Sequence, residues 1–324
     1  MDDTAQLRVF PASFVLALLL EYAAALAFWF IQRQSRALRN IAIVLVALIA
    51  CIAPLAIPVE NTNLRLAAVL LDLFVALRVY SYSQTSRSSS LGDYLRFLSL
   101  GLISPHLAYS ATRYTVKASL KSVLPRIAIA LLIIPTVWFL ANHLVLTKAG
   151  KNSWIVNHLI VVVAFVIIMQ SVGKCCWGIW RLMGLRSKPL VDNVAFSLTP
   201  AEFWRRWSWP IHAWLYRHVY IPAGGRRHFY RATFLVFLVS ALLHEVVGFV
   251  GLGRVTGHWT LCFLFGAIGV VVSPTIERLA RRGTASRIVA RIITVMLLMV
   301  MAVPALVGIH YFVPLYYKWV WLMW

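Results

Sequence analysis

The chain is 324 residues long, 61% hydrophobic and only 13% charged, and its 31 Lys and Arg against 10 Asp and Glu give a formal net charge of +21. A soluble domain carries roughly 25% charged residues, so the composition excludes a water-soluble globule and predicts an integral membrane protein. In a soluble chain such a charge balance would point to nucleic acid; here it predicts loops facing a cytoplasm, and no nucleic-acid partner is expected.

A helix needs about 20 mainly apolar residues to cross about 30 Å of hydrocarbon. Eight windows satisfy this: 9–31, 41–58, 64–80, 127–146, 154–180, 234–252, 259–276 and 288–311. The first follows Asp2 and Asp3 rather than a basic stretch and is longer than a signal-peptide core, so it reads as a retained anchor. The stretch 95–107 is apolar but short and broken by Pro105, which predicts an interfacial or re-entrant piece. The fold class is therefore all-α: a polytopic bundle of about eight (seven to ten) transmembrane helices with a cytoplasmic interfacial segment, organised as one domain over 1–324.

Eight spans divide the loops into two alternating sets. One holds Arg33, Arg36 and Arg39, then Arg87 to Arg126, then the long segment from Arg181 to Arg231, then Arg278 to Arg291. The other holds little beyond Arg8, Lys148, Lys151, Arg254 and Lys318, with Arg65 at an edge. The asymmetry places both termini outside, and it fits a bacterial inner membrane and an endoplasmic reticulum equally. Cys51, Cys175, Cys176 and Cys262 form no CxxC pair and no cluster with His, so neither a disulfide framework nor a metal site is expected.

Spanning does not explain the Ser-rich connector 81–90 or the segment 182–231. Within the latter, TPAEFWRRWSWPIHAWLYRHVYIPAGGRR runs from Thr199 to Arg227. Pro200 and Glu202 suit a helix start. Phe203, Trp204, Trp207 and Trp209 with Arg205 and Arg206 make an aromatic-basic helix that Pro210 is expected to interrupt. Such a piece can lie at the headgroup level with its arginines snorkelling. His212 and His218 do not share a helical face, which disfavours a metal pair; His258 and His310 stand at span ends.

A second signal lies inside the window 234–252, where FLVSALLHE places His244 and Glu245 in an apolar helix. Charges there cost about 2.5 to 3.5 kcal/mol on the insertion scale, and even a neutral His needs a partner. Ser240, four residues earlier on the same face, can supply one, whereas Glu245 projects about 100° away and reads as an orienting group. Glu21 and Asp72 also fall inside windows, as helix–helix contacts or as lining for a substrate route.

EFWRRW, then a basic-aromatic run ending YIPAGG, then an intramembrane SALLHE resemble the membrane-bound O-acyltransferase superfamily over about 189–277. The resemblance implies that His244 is the catalytic histidine. It also implies a second polar residue upstream, for which Asn193 and its neighbour Asp192 in PLVDNVAFS are the candidates, against a plain turn or cap. YIPAGGRR looks like the polysaccharide O-acetyltransferases of bacterial envelopes, but the histidine that those relatives place after FWRRW is here Ser208. WPIHAWLYRHVYIP with the His–Glu pair looks more like sterol and diacylglycerol acyltransferases, and VSALLHE with its following span like wax synthases.

The implied activity is transfer of an acyl group from acyl-CoA, a co-substrate rather than a tightly bound cofactor, to a hydrophobic alcohol: a long-chain alcohol, a sterol or terpenoid, or a diacylglycerol. His244, in surroundings that disfavour imidazolium, would take the hydroxyl proton. Arg205 and Arg206 would meet coenzyme A phosphates, or else anionic headgroups, with Trp204, Trp207, Ser240 and Glu245 around the substrates. The partners are acyl-CoA, the lipid alcohol and membrane lipids, and a homodimer is compatible with the sequence. The alternatives are an envelope polysaccharide O-acetyltransferase and a proton-coupled transporter using Glu21, Asp72 and His244.

Overall fold

The computed structural model describes residues 3–85, 90–99, 119–183 and 188–313. Pro105 and its neighbours in 100–107, together with Arg87, Arg113, Lys117, Arg186 and Lys318, lie outside them. The described residues form helices and no strand. The protein is a multi-pass integral membrane protein. Seven helices are long and apolar enough to span: Ala12–Ile31, Arg36–Ala56, Leu120–Val145, Trp154–Leu182, Gly225–Leu252, His258–Ala280 and Thr284–His310. Their outward faces carry bare apolar side chains, such as Leu132 at 68% and Phe139 at 70% exposure, which lipid rather than water must cover.

The chain divides into two compact units. The first contains α1 (Asp3–Ile31), α2 (Arg36–Ile52), α3 (Thr62–Ser83) and α4 (Leu91–Ser99) with residues 243–256. Ala25, Ala42, Ala50 and Ala76 let these helices approach closely around Phe28, Val46, Val79 and Tyr82. The expected third span, 64–80, is α3: it is long enough, but Arg65, Asp72 and Arg78 lower its hydropathy below that of the other seven. All three are buried, and Arg78 Nη1 donates to Phe97 O at 2.7 Å while its guanidinium lies over the Phe97 ring. Glu21 and Asp72 are fully buried, so these carboxyl groups face protein rather than lipid. The Ser-rich connector starts as the end of α3. At its other end, the hydroxyl of Ser90 accepts the Asp93 N–H and so begins α4. The apolar stretch from 95 enters as the second half of this short helix, whose Tyr94 hydroxyl donates to Ala25 O at 2.6 Å.

The second unit holds α5 (Leu120–Val145), α6 (Lys148–Asn152), α7 (Trp154–Leu182), α8 (Pro200–Arg206), α9 (Trp209–Leu215), α11 (His258–Ala280) and α12 (Thr284–His310). It also holds the first part of α10 (Phe229–Leu252), up to Leu242. α5 and α7 form a hairpin through α6, and α11 packs along α12. Glycines set the closest approaches. A Cβ on Gly178 would stand 2.6 Å from Ile127 Cγ1, and one on Gly266 would stand 2.7 Å from the Phe237 ring.

Gly173 on α7 meets main chain rather than side chain, since its Cβ would lie 2.8 Å from Val191 N. Backbone cannot rotate away, so Gly173→Val overpacks the contact between α7 and the segment after it. The expected loss is about 1–3 kcal/mol, read as a lowered thermal midpoint in micelles, whereas Gly92→Ala, whose Cβ would meet only Ser90 Oγ at 3.8 Å, shifts it less.

Candidate active site

The segment 188–209 is suspended from three spanning helices of the second unit. Gln170 Oε1 on α7 accepts the Val194 N–H at 3.1 Å, Ser273 Oγ on α11 accepts the Ala201 N–H at 3.0 Å, and Thr294 Oγ1 on α12 donates to Leu198 O at 2.7 Å. These polar side chains lie in otherwise apolar helices, and the segment supplies the partners that make them tolerable there. Within the segment, Asp192 N–H donates to Arg206 O at 3.0 Å, and the Trp209 indole N–H donates to Lys188 O at 3.0 Å.

Helix α8 begins as its Pro and acid suggest. Thr199 Oγ1 accepts the Glu202 N–H at 3.2 Å, with Pro200 in the first turn. Glu202 Oε2 in turn accepts the Leu198 N–H at 2.7 Å, while Oε1 pairs with Arg206 Nη2 at 2.6 Å. Arg206 Nη1 then donates to Asn193 O at 3.1 Å. Burial raises the Glu202 carboxyl pKa, but the Leu198 N–H and the Arg206 guanidinium outweigh it and hold the group below its ordinary 4.5.

Pro210 does not interrupt the aromatic-basic helix. The break comes two residues earlier, where Ser208 takes a left-handed conformation at φ 44°, and Pro210 opens α9 instead. The fixed φ and missing N–H of proline cost nothing in a first turn. Nor does α8 present its aromatics only to a membrane surface. Phe203 is buried and stacks on Trp207 with ring centroids 5.5 Å apart, and Trp207 approaches Phe165 at 6.0 Å. Trp204 lies 5.3 Å from Phe237 and 5.6 Å from Phe263, with its indole nitrogen buried. α8 is thus a wedge in the core of the second unit, with Arg205 on its exposed side.

Asn193 is exposed, adopts φ 48°, and donates from Nδ2 to Asp192 Oδ1 at 3.2 Å. Asn is among the few residues that take this conformation readily, so the turn reading accounts for its backbone while its side chain stays at the surface. Asn193, Arg206 and Glu202 are brought together. Past α9, residues 216–220 form one π turn closed by Ile221 N–H to Tyr216 O at 3.0 Å, a widening that often marks functional sites. His212 stacks on Tyr216 and His218 packs on Trp214. Burial, and then Arg205, hold the His212 imidazole below its ordinary range. The GlyGly turn after it has positive φ at Gly224 and Gly225, and Arg231 grips it with Nε and Nη2 on Ala223 O.

His244 and Glu245 lie in the continuous helix α10, neither of them fully exposed. Ser240, one turn earlier, is buried and donates to Val236 O at 2.9 Å. That bond spends the hydroxyl hydrogen inside its own helix, so towards any other group Ser240 is an acceptor.

The sequence pattern described by the model of the membrane-bound O-acyltransferase family matches residues 7–303. The chain belongs to the membrane-bound O-acyltransferase family. Its similarity to individual members is local. It is 24% identical over 168 residues to the membrane-bound O-acyltransferase gup1 of Schizosaccharomyces pombe, covering 47% of this chain and 29% of that one. It is 44% identical over 46 residues to diacylglycerol O-acyltransferase 1-1 of Oryza sativa subsp. japonica, covering 14% and 9%. It is 32% identical over 102 residues to the probable alginate O-acetylase AlgI of Pseudomonas fluorescens, covering 30% and 20%. The chain thus spans less than a third of the length of these relatives.

Sequence reasoning took Glu202 for a helix-start residue and missed its second bond to Arg206; the i, i+4 spacing of the two was the available signal. Because the folded Glu202 carboxyl titrates below its unfolded value, its contribution to stability is present above about pH 4.5 and is lost as pH falls through the lower folded value. Glu202→Gln is therefore expected to lower the melting midpoint at pH 7, by the equivalent of about 1–3 kcal/mol for a charge-assisted bond. It is also expected to flatten the acid limb of a midpoint-against-pH profile.

Proposed function

We propose that this chain is an acyl-CoA-dependent O-acyltransferase whose acceptor is the hydroxyl of a hydrophobic alcohol: a long-chain alcohol, a sterol or terpenoid, or a diacylglycerol. The observation that carries the reading is His244, well inside an apolar spanning helix in a chain of the membrane-bound O-acyltransferase family. His244 takes the proton of the alcohol as its oxygen attacks the thioester carbonyl. The carbon–sulfur bond then breaks, and the coenzyme A thiolate leaves with the proton returned by the imidazolium. No covalent enzyme intermediate is needed. Apolar surroundings strengthen these interactions and keep water from taking the acyl group.

The basic segment divides its labour in this scheme. Arg206, bound to Glu202 and to Asn193 O, is a positioning residue. Arg205, exposed on the same helix, is the side chain assigned to the donor phosphates. Asn193 is proposed as the second polar group, and Trp204 and Trp207 as the aromatic wall behind it.

An envelope polysaccharide O-acetyltransferase is the second reading, favoured by the longer stretch shared with the alginate O-acetylase, 30% of the chain against 14% for the diacylglycerol enzyme. Against it stands Ser208, in the tight turn after FWRRW where that branch carries histidine.

The test is purified full chain in nanodiscs, given labelled acyl-CoA of several chain lengths, acetyl-CoA included, with a panel of lipid alcohols and, separately, with an envelope polysaccharide. His244→Ala is expected to lower turnover by about 10²- to 10⁴-fold, with elution and melting unchanged; His244→Gln supplies a sterically closer control. Undiminished turnover in both variants removes the assignment of His244. Acetyl transfer to a glycan, with every lipid alcohol inert, replaces the lipid reading by the envelope one.

A further inference from the structure

A cavity of about 700 Å³ opens between α5 and α7 of the second unit. Its walls change character along the helices. Towards the start of α5 and the end of α7 stand Ser122, Val123, Arg126, Trp177 and Arg181; Lys174 lies two turns deeper on α7, with Ile129, Ala130 and Ile133 on the facing helix. From Ser122 to Ile133 is eleven residues of helix, about 16 Å of rise. The cationic end is the one from which both helices enter the basic loops of the chain, the cytoplasmic side by charge asymmetry. None of the lining residues is acidic.

Arg126 is held without an acidic partner among the described residues. Arg126 Nη1 donates to Ser122 O at 2.8 Å, and the guanidinium carbon lies 5.9 Å from the Trp177 ring centroid. This fixes the side chain while spending one of its five N–H donors. Lys174 is a cation within a helix otherwise apolar enough to span. Such residues reach for the interface or for a counter-charge. Ile129, which lines the apolar wall, is 57% exposed, so the cavity opens sideways onto the lipid-facing surface of α5 as well as towards the basic end.

We propose that this cavity is a binding site for an anionic phospholipid. The phosphate and its glycerol lie along the row of Arg181, Arg126 and Lys174, and the acyl chains leave past Ile129 and Ile133 into the bilayer. The combination selects this occupant. A free polar anion would leave the apolar wall unused, and a neutral lipid would leave the three lining cations without a counter-charge. A volume of about 700 Å³ admits a headgroup and the start of a chain, and the lateral opening removes the need to enclose the rest. The site uses none of the residues assigned to acyl transfer and stands whether or not that reading holds.

The experiment is native mass spectrometry of the full chain in neutral detergent, titrated with phosphatidylglycerol or with phosphatidylcholine of the same acyl chains. The unaltered chain is expected to retain one phosphatidylglycerol in preference to phosphatidylcholine. At about fivefold per cation, Lys174→Gln lowers that preference about fivefold, and Arg126→Gln with Lys174→Gln and Arg181→Gln about a hundredfold. Arg126→Lys with Arg181→Lys keeps most of it. Lys174 is exposed, so its single variant reads the site even where the triple variant fails to fold. Equal retention of the two lipids, or an unchanged preference in Lys174→Gln, overturns the proposal. So does displacement of phosphatidylglycerol by free coenzyme A at equimolar concentration, which would make the cavity a donor site.

Discussion

Glu202 is the constraint on which the motif-bearing segment depends. One oxygen closes the chain reversal before α8 by accepting the Leu198 N–H, and the other holds Arg206, which reaches across to Asn193 O. A single carboxylate thus joins the start of α8, its end, and the turn before it. The segment needs such an internal lock because it carries Pro189 and Pro200, left-handed turns at Asn193 and Ser208, and a helix of only seven residues, too short to be held by helical periodicity. Its other fastenings, from Gln170, Ser273 and Thr294, each depend on the backbone being presented at the right place. The geometry at Asn193 is therefore set from a distance by an ion pair one helix away.

The spanning architecture was legible because the bilayer imposes a length and a hydropathy that few other contexts demand. All eight windows correspond to helices. The one departure, α3, follows from Arg65, Asp72 and Arg78, which pack inward against the first unit and make the helix look less apolar than its surroundings require. Arg78 itself went unremarked in the sequence, although a cation inside an apolar window is the sort of feature that marks a buried contact. Its partner, the carbonyl of Phe97, lies nineteen positions away and leaves no local trace.

The segment 199–227 was harder to read, for a definite reason. Aromatic and basic residues in alternation suit a membrane interface and a packed wedge equally well; what separates the two is whether the rings have neighbours. Phe237, Phe263 and Gly266 supply them, from helices 30 to 60 positions further along the chain. Likewise Pro210 reads as a breaker or as a helix opener depending on one residue before it, and the left-handed Ser208 decides for the opener. His244 was visible because a titratable group in hydrocarbon is costly wherever it stands, whereas the environment that would make it useful belongs to tertiary structure.

The excess of basic residues gives the molecule a particular style of bonding. With 31 Lys and Arg and only 10 Asp and Glu, most guanidinium groups cannot find a carboxylate. Arg78, Arg126 and Arg231 instead donate to the backbone oxygens of Phe97, Ser122 and Ala223. A carbonyl fixes the direction of a guanidinium but carries no net charge, so the cation is oriented and remains positive. Arg206 and Arg281 do find carboxylates, on Glu202 and Glu277, and for Arg206 the pairing turns a phosphate-binding candidate into a structural cation. Elsewhere the same scarcity of acids leaves positive charge along the basic loops, and such charge favours phosphate-bearing groups. What lies behind the charge differs from place to place: packed aromatic rings behind Arg205, and an exposed helix surface beside Arg126.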